Sequence, residues 1–519
     1  MSILRINGND LTLEELREVV YERRAVLLDQ GARSAVERSR RLIDELVESN
    51  GVAYGVTTGV GRLSEVRIPP EQVRELQVNL VRSHAVGVGD PLPEPETRAM
   101  MLLRANSLAK GFSGVRTATI DMLCEMLNRA VHPLIPSQGS VGASGDLAPL
   151  AHLALALIGE GEMLYQGERL SSAEAMRRAG ITPVVLEAKE AISLINGTQA
   201  MLAVGTLALL AAEVLVDTAD VIGALSLDAL RGTIVAFDER IHQVRPHAGQ
   251  LRSAQNLRRM LEGEDSIRES HKECGRVQDA YSLRCIPQVH GAVRDTLAHC
   301  RQVFETEMNS AVDNPLVFLP PKRVGVRPAI GEAGSGGEIL SGGNFHGEPL
   351  AFAMDFLAIA LSALAGICER RVERLVNPAL NEGLPAFLAP GAGLHSGFMM
   401  AQITAAALVS ENKVLAHPAS VDSITTSGNR EDYVSMGMTA AIKLMRIVQN
   451  TRHVLAIESL AAAQALDFLL PLKTSRRGQM AHAAIRSVCP TMDHDRSLAA
   501  EVARAAELIA SGRIAAVLR

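Results

Sequence analysis

Long stretches of helical hydrophobic spacing alternate along this chain with short loops rich in glycine, serine and proline. Residues 11–50 mix apolar and charged side chains at helical spacing, and Thr12 followed by Glu15 has the spacing of a capping box. Residues 51–67 hold glycines and threonines and read as a loop. Helical spacing returns at 69–83, a turn-rich break covers 87–95, and 96–130 reads as two helices interrupted around Gly111–Gly114. A second loop follows at 133–145, with two prolines, three glycines and three serines in thirteen residues. Residues 147–158 are helical again, and 160–185 suggest a small strand pair around 163–165 and 168–170. From 188 onward nearly everything has helical period, with breaks at 241–250, 319–347, 376–396 and 471–478. The pattern predicts a mainly all-α protein. Residues 1–200 form an N-terminal part carrying the loops, and 201–519 form a long-helix bundle with a C-terminal helical part.

Two apolar runs, 201–215 and 350–368, approach or reach the length that spans a bilayer. Glu213 and Asp355 lie inside them, which fits the centre of a large helical bundle better than a membrane. Composition agrees: hydrophobic residues make up 47% of the chain but aromatics only 3%, with no tryptophan. A core of Ala, Leu, Val, Ile and Met suits helices packed closely on helices. The net charge of -6 gives no basic footprint for nucleic acid. The N-terminus lacks a basic stretch followed by an apolar run, and the six cysteines form no CxxC pair. A reduced, cytoplasmic protein is expected, without disulfides and without a metal site.

The loop around Ala143-Ser144-Gly145 has a specific chemical capacity. If the backbone bends tightly, the Gly145 amide nitrogen can attack the Ala143 carbonyl carbon. Loss of two waters, one involving the Ser144 hydroxyl, leaves a five-membered ring with an exocyclic methylene, a strong electrophile. Glycine is needed at 145 because a side chain would block the attack, and a small residue at 143 leaves the carbonyl accessible. On the tripeptide alone a flexible glycine loop is the better reading, since Ala-Ser-Gly is common, and Gly142-Ala143-Ser144-Gly145 does not give the G-x-S-x-G of a hydrolase elbow.

The surroundings add to this. Gly139-Ser-Val-Gly-Ala-Ser-Gly-Asp-Leu-Ala-Pro149, with His152 just beyond, resembles the signature of the histidine and phenylalanine ammonia-lyase family. So do Tyr54-Gly-Val-Thr-Thr-Gly-Val-Gly61, Asn79-Leu-Val-Arg-Ser-His84, Leu194-Ile-Asn-Gly-Thr-Gln199 and Gln278-Asp-Ala-Tyr-Ser-Leu-Arg284. Asp313-Asn-Pro315, Ser341-Gly-Gly-Asn-Phe-His-Gly347, Ser410-Glu-Asn-Lys413 and Asn429-Arg-Glu-Asp432 extend the resemblance over nearly the whole chain. The resemblance implies the family's helical fold and a 4-methylideneimidazole-5-one (MIO) group formed from Ala143, Ser144 and Gly145, with no external cofactor. It implies an ammonia-lyase acting on a small-molecule amino acid, and a homotetramer.

The same resemblance implies residue roles. Elimination must remove a barely acidic β-proton and expel a poor leaving group, so it needs an electrophile for the amine and a positioned base. Tyr54 is implied as that base, with its pKa lowered for the task, and Tyr281 as a further catalytic group. Arg284 is implied to take the substrate carboxylate, which a planar guanidinium pairs bidentately. Asn196, Gln278 and Asn344 are expected to orient the substrate and the ring oxygen, with Phe345 packed beside the ring. His84 and Glu431 match the histidine-lyase pocket, one partner for each nitrogen of an imidazole. The chain departs from the histidine-lyase pattern at Val60, His395, Gly428, Arg430 and Tyr433, and Arg430 could pair with Glu431. Lyases for a modified histidine, tyrosine or phenylalanine stay open as alternatives, as do a 2,3-aminomutase and a helical scaffold that never forms the ring.

Overall fold

The computed structural model describes residues 2–319 and 337–519. The chain opens with a strand, Leu4–Ile6, paired in parallel with Val26–Leu28. Between them lies the helix Leu13–Tyr21, whose start is the expected capping box: Thr12 accepts from Glu15 N while the Glu15 carboxylate takes the Thr12 N–H. The helical pattern over 11–50 is therefore two helices rather than one. Val26-Leu27-Leu28 is too short and apolar a run to stay helical beside a strand partner, and Asp29 then caps the helix Gln30–Glu48 through Gly31 N and Ala32 N.

The helices Glu94–Ala109 and Thr117–Asn128 flank the predicted interruption at 111–114. The strands Glu162–Tyr165 and Glu168–Ser171 form the predicted hairpin, with Val131–Pro133 added at its edge. The break at 87–95 contains a strand, Val88–Pro91, that pairs with Pro136–Gln138 of the tripeptide loop. Of the break expected at 319–347, residues 320–336 lie outside the described residues, and 338–340 pair with 316–318.

Long helices dominate after residue 198: Gln199–Ala229, Ile286–Met308, Glu348–Val376 and Gly437–Asp467. The first and third contain the apolar runs. Both are long and apolar enough to cross a membrane, yet 78% and 61% of their most apolar stretches are buried within the protein. The acids are accommodated inside the fold: Asp220 accepts from His290 Nδ1, Asn256 Nδ2 and Arg294 Nη2 at 2.8, 2.8 and 2.6 Å. Buried charge is tolerated when it is paired and hydrogen-bonded in this way.

By packing, the chain forms two compact units, each assembled from separated stretches. One comprises Met1–Leu207, Arg301–Met354 and Pro418–Ile442; the other comprises Ala208–Cys300, Asp355–His417 and Lys443–Arg519. In the first, the helix Glu94–Ala109 is buried on nearly every side and carries two buried arginines. Arg98 donates to the Val19, Val20 and Leu127 carbonyls and to His132. Arg104 reaches the site described next.

Candidate active site

Two glycine loops of the first unit carry the candidate chemistry. In the loop at 51–67, threonine hydroxyls stitch the backbone. Thr57 Oγ1 accepts from Ala53 N at 3.1 Å and donates to Gly51 O at 2.9 Å, and Thr58 Oγ1 accepts from Gly55 N at 3.1 Å. This folds the loop so that the Tyr54 hydroxyl accepts from Gly61 N at 3.1 Å.

The tripeptide lies just before the helix Leu147–Leu157. Gly145 has φ +72°, and a Cβ there would collide with the Gly197 carbonyl. Only glycine fits that turn. Asp146 N donates to that same carbonyl at 2.7 Å, and Asn196 Nδ2 donates to the Ser144 carbonyl at 2.9 Å. Ala143 is buried, and Asp146 is fully buried, its carboxylate accepting from Ser140 Oγ and Met201 N at 2.9 and 2.8 Å. Burial pushes the Asp146 carboxyl up to about 6, against the lowering effect of those hydrogen bonds. A tight turn with no room for a side chain at 145 and a fixed Ser144 carbonyl fits the cyclisation that would form the methylideneimidazolone.

Glu431 reaches the tripeptide from elsewhere in the chain. Its Oε1 accepts from Ser144 Oγ at 2.7 Å and its Oε2 from Thr426 Oγ1 at 2.7 Å. The same segment is pinned to the tripeptide loop by Met436 N on the Val141 carbonyl, 2.9 Å, and Ser435 Oγ on the Gly142 carbonyl, 3.0 Å. The pairing of Arg430 with Glu431 is not what forms. Arg430 turns to Glu65 at 3.5 Å, and the carboxylate oxygens of Glu431 are engaged by hydroxyls.

Arg104 underlies Asn196. Fully buried, its Nη1 donates to the Asn196 carbonyl at 2.7 Å and to Gln199 Oε1 at 2.8 Å. Burial lowers its pKa to about 10, so the charge is retained at neutral pH. A sequence reading passes over this residue, although an arginine on an otherwise apolar helix stretch is a signal that could have found it. His84 ends the helix Val73–His84, with Nδ1 2.8 Å from the Leu80 carbonyl. A carbonyl oxygen only accepts, so Nδ1 is the donor in that contact and Nε2 is left without it. Asn344 donates to the Ala311 carbonyl at 3.1 Å and is exposed, with Phe345 half-buried beside it.

Gln278, Tyr281 and Arg284 belong to the second unit. Arg276 pairs with Asp279 at 3.0 Å and with Glu382 at 2.5 Å, and Asp279 also accepts from Thr233 N at 2.7 Å. This anchors the segment that leads into the short helix Tyr281–Arg284. The Arg284 guanidinium lies over the Tyr281 ring, 4.7 Å from its centroid, and Tyr281 is 70% exposed. Gln278 is exposed. Among the departures, Tyr433 stacks on His346 at 6.0 Å between ring centroids. His395 lies beside His494, 5.4 Å between centroids, and 3.9 Å from Asp495.

A helical protein that places a glycine-turn Ala-Ser-Gly beside a carboxylate and an asparagine, with a tyrosine in a second glycine loop, has the make-up of the ammonia-lyases. A sequence model of the aromatic amino acid lyases matches residues 11–487. The chain is 71% identical over 519 residues to the histidine ammonia-lyase of Koribacter versatilis, covering all of both chains. Among solved structures it is similar to the histidine ammonia-lyase of Trypanosoma cruzi: 41% identity, 100% of this chain and 95% of that one, TM-score 0.90. It is also similar to a tyrosine aminomutase of Streptomyces globisporus: 38% identity, 99% and 98% coverage, TM-score 0.91. The chain belongs to the aromatic amino acid lyase family, and it is an ammonia-lyase.

Proposed function

We propose that this chain eliminates ammonia from L-histidine to give urocanate, using an MIO group formed from its own Ala143-Ser144-Gly145. The observation that carries the tripeptide part is the Gly145 turn, closed to any side chain, beside a Ser144 held at its carbonyl by Asn196 and at its hydroxyl by Glu431. Once formed, the group supplies the electrophile that captures the amine and makes it a leaving group. The remaining work falls to side chains. Tyr54, receiving the Gly61 N–H on its oxygen, takes the β-proton. Arg284 pairs with the α-carboxylate, and Tyr281 beneath it keeps the guanidinium in place. Gln278 and Asn344 orient the substrate, Phe345 packs beside the ring, and Asn196 holds the carbonyl of residue 144.

The choice of histidine rests on His84 and Glu431. With Nδ1 committed to Leu80, His84 presents Nε2, and Glu431 presents its carboxylate, one polar partner for each nitrogen of the substrate ring. The identity to the Koribacter versatilis histidine ammonia-lyase supports the same substrate. An absorbance assay on histidine, tyrosine, phenylalanine and trimethylated thiol-histidine tests it. Urocanate from histidine with the highest kcat/KM is expected; no urocanate sinks the reading. The likeness to a tyrosine aminomutase favours one alternative outcome, a β-amino acid retained in the product mixture, which chromatography of the same reactions detects.

We further infer a homotetramer in the reduced cytoplasm. Met400, Ile403 and Val414 on the helix Met399–Leu415 are 62%, 48% and 75% exposed, an apolar surface suited to a second copy. Along the chain, the functional division we read is 1–200 for the two chemical loops and 201–519 for the helical bundle.

A further inference from the structure

Before any ring forms, Ser144 carries its hydroxyl, and that hydroxyl donates to Glu431 Oε1 at 2.7 Å. The carboxylate is not a casual neighbour. Thr426 holds its other oxygen at 2.7 Å, and the Thr426 amide donates to the Glu431 carbonyl at 2.8 Å. Met436 and Ser435 then fasten the same segment to the backbone of Val141 and Gly142, one and two residues before the tripeptide. The acid is thus aimed at one atom, the oxygen that must leave residue 144.

We propose that Glu431 acts in the maturation of the tripeptide, holding the Ser144 hydroxyl and delivering the proton with which it departs, and that only this departure opens Glu431 to the substrate ring. The proposal rests on the reading that Ala143-Ser144-Gly145 cyclises. In the first dehydration the Gly145 N–C(Ala143) bond forms, and the Gly145 amide proton passes to the Ala143 oxygen. That oxygen leaves as water with the Ser144 amide proton, and a C=N bond remains. In the second, the Ser144 Cα loses its proton, the Cβ–Oγ bond breaks, and a Cα=Cβ bond forms. Glu431, a carboxylate while it accepts from Ser144, takes up the proton lost from Cα and passes it to Oγ, which leaves as water with its own hydrogen. The carboxylate is regenerated at the end of the step. Two waters are lost and no oxidant or reductant is consumed.

The second consequence concerns the pocket. While Ser144 is intact, both Glu431 oxygens are engaged by hydroxyls. Departure of Oγ leaves Oε1 without its donor, an unfavourable state for a partly buried acceptor. An imidazole N–H restores it. The immature chain is therefore closed to the ring at Glu431, and the chemistry that builds the electrophile also uncovers the acceptor that recognises the substrate.

Mass spectrometry of the full-length purified chain, and of the peptide spanning 143–145, tests this without reading activity. Wild type is expected to lack the mass of two waters. Glu431→Ala should retain at least one water in most molecules, and Glu431→Gln, which keeps the shape but not the proton, should mature at least about tenfold more slowly. Thr426→Val, which frees the far oxygen of the carboxylate, should fall between wild type and Glu431→Gln. Complete water loss in Glu431→Ala and Glu431→Gln at the wild-type rate overturns the role of Glu431. If Glu431→Ala does not fold, Glu431→Gln decides alone. A wild-type chain with both waters retained overturns the cyclisation reading itself, whatever the variants do.

Discussion

At the scale of single residues, the tripeptide loop concentrates unusual demands in few atoms. In the proposed reaction, Ser144→Ala removes the source of the methylene that the electrophile needs. Turnover should fall by more than about a thousandfold, on the order of 4 kcal/mol in the barrier, with the far-ultraviolet circular dichroism unchanged. Near-normal turnover would refute the mechanism. If Tyr54 is the base of the proposed reaction, Tyr54→Phe, which keeps the ring but not the hydroxyl, should lower kcat by roughly 10²–10⁴ with a smaller change in KM. Asp146 adds a pH signature. Its carboxyl, pushed by burial from an ordinary 3.8 to about 6, binds a proton more readily in the folded chain than in the unfolded one. Its contribution is fully present below about pH 4 and is lost as pH rises through about 6, amounting to about 3 kcal/mol. Asp146→Asn should flatten that part of the stability profile, measured as urea midpoints between pH 4 and 7; an unaltered slope would place the proton elsewhere.

At the scale of elements, buried ion pairs join helices of one unit. Arg371 on the helix Glu348–Val376 and Glu458 on Gly437–Asp467 are both fully buried, paired at 2.5 Å, with Ser226 Oγ donating to the same carboxylate at 2.8 Å. Removing only the guanidinium leaves a buried charge unpaired. Arg371→Met should therefore cost about 3–5 kcal/mol in chemical unfolding, whereas Arg371→Met with Glu458→Met should cost markedly less. If the double variant is as unstable as the single one, the pair is not the source of the loss. The same logic explains Arg104 on the helix Glu94–Ala109. A charge is kept in an apolar interior because it fixes the backbone of Asn196, whose side chain fixes Ser144. These pairings were not readable from helical spacing, which identifies the apolar face of a helix but not which distant helix supplies the counter-charge.

At the scale of the whole molecule, the exposed apolar residues of the helix Met399–Leu415 carry the assembly prediction. Ile403→Asp should reduce the assembled mass seen by light scattering after size exclusion, while leaving the circular dichroism of the chain intact. A tetramer that survives this change would put the interface elsewhere. The separated stretches that build each unit also bear on legibility. Packing joins residues 301–354 and 418–442 to the first 207 residues, and no local pattern announces such a partnership.

Most elements, and the raw material of the chemistry, were legible along the chain. Helical periods located the long helices, the Thr12–Glu15 spacing located a cap, and the runs of glycine at 54–61 and 139–145 marked the two loops, because period, capping and backbone freedom are local properties of a chain. Which groups meet depends instead on packing between distant segments. The partition of 11–50 by the strand Val26–Leu28 depends on a partner strand at Leu4–Ile6. The placing of Glu431 on Ser144, 287 residues away, the turning of Arg430 toward Glu65, and the burial of Arg104 beneath Asn196 all depend on long-range packing. Such contacts arise when distant segments bury their apolar faces together, and their polar groups then find whichever partners that packing brings within hydrogen-bond reach.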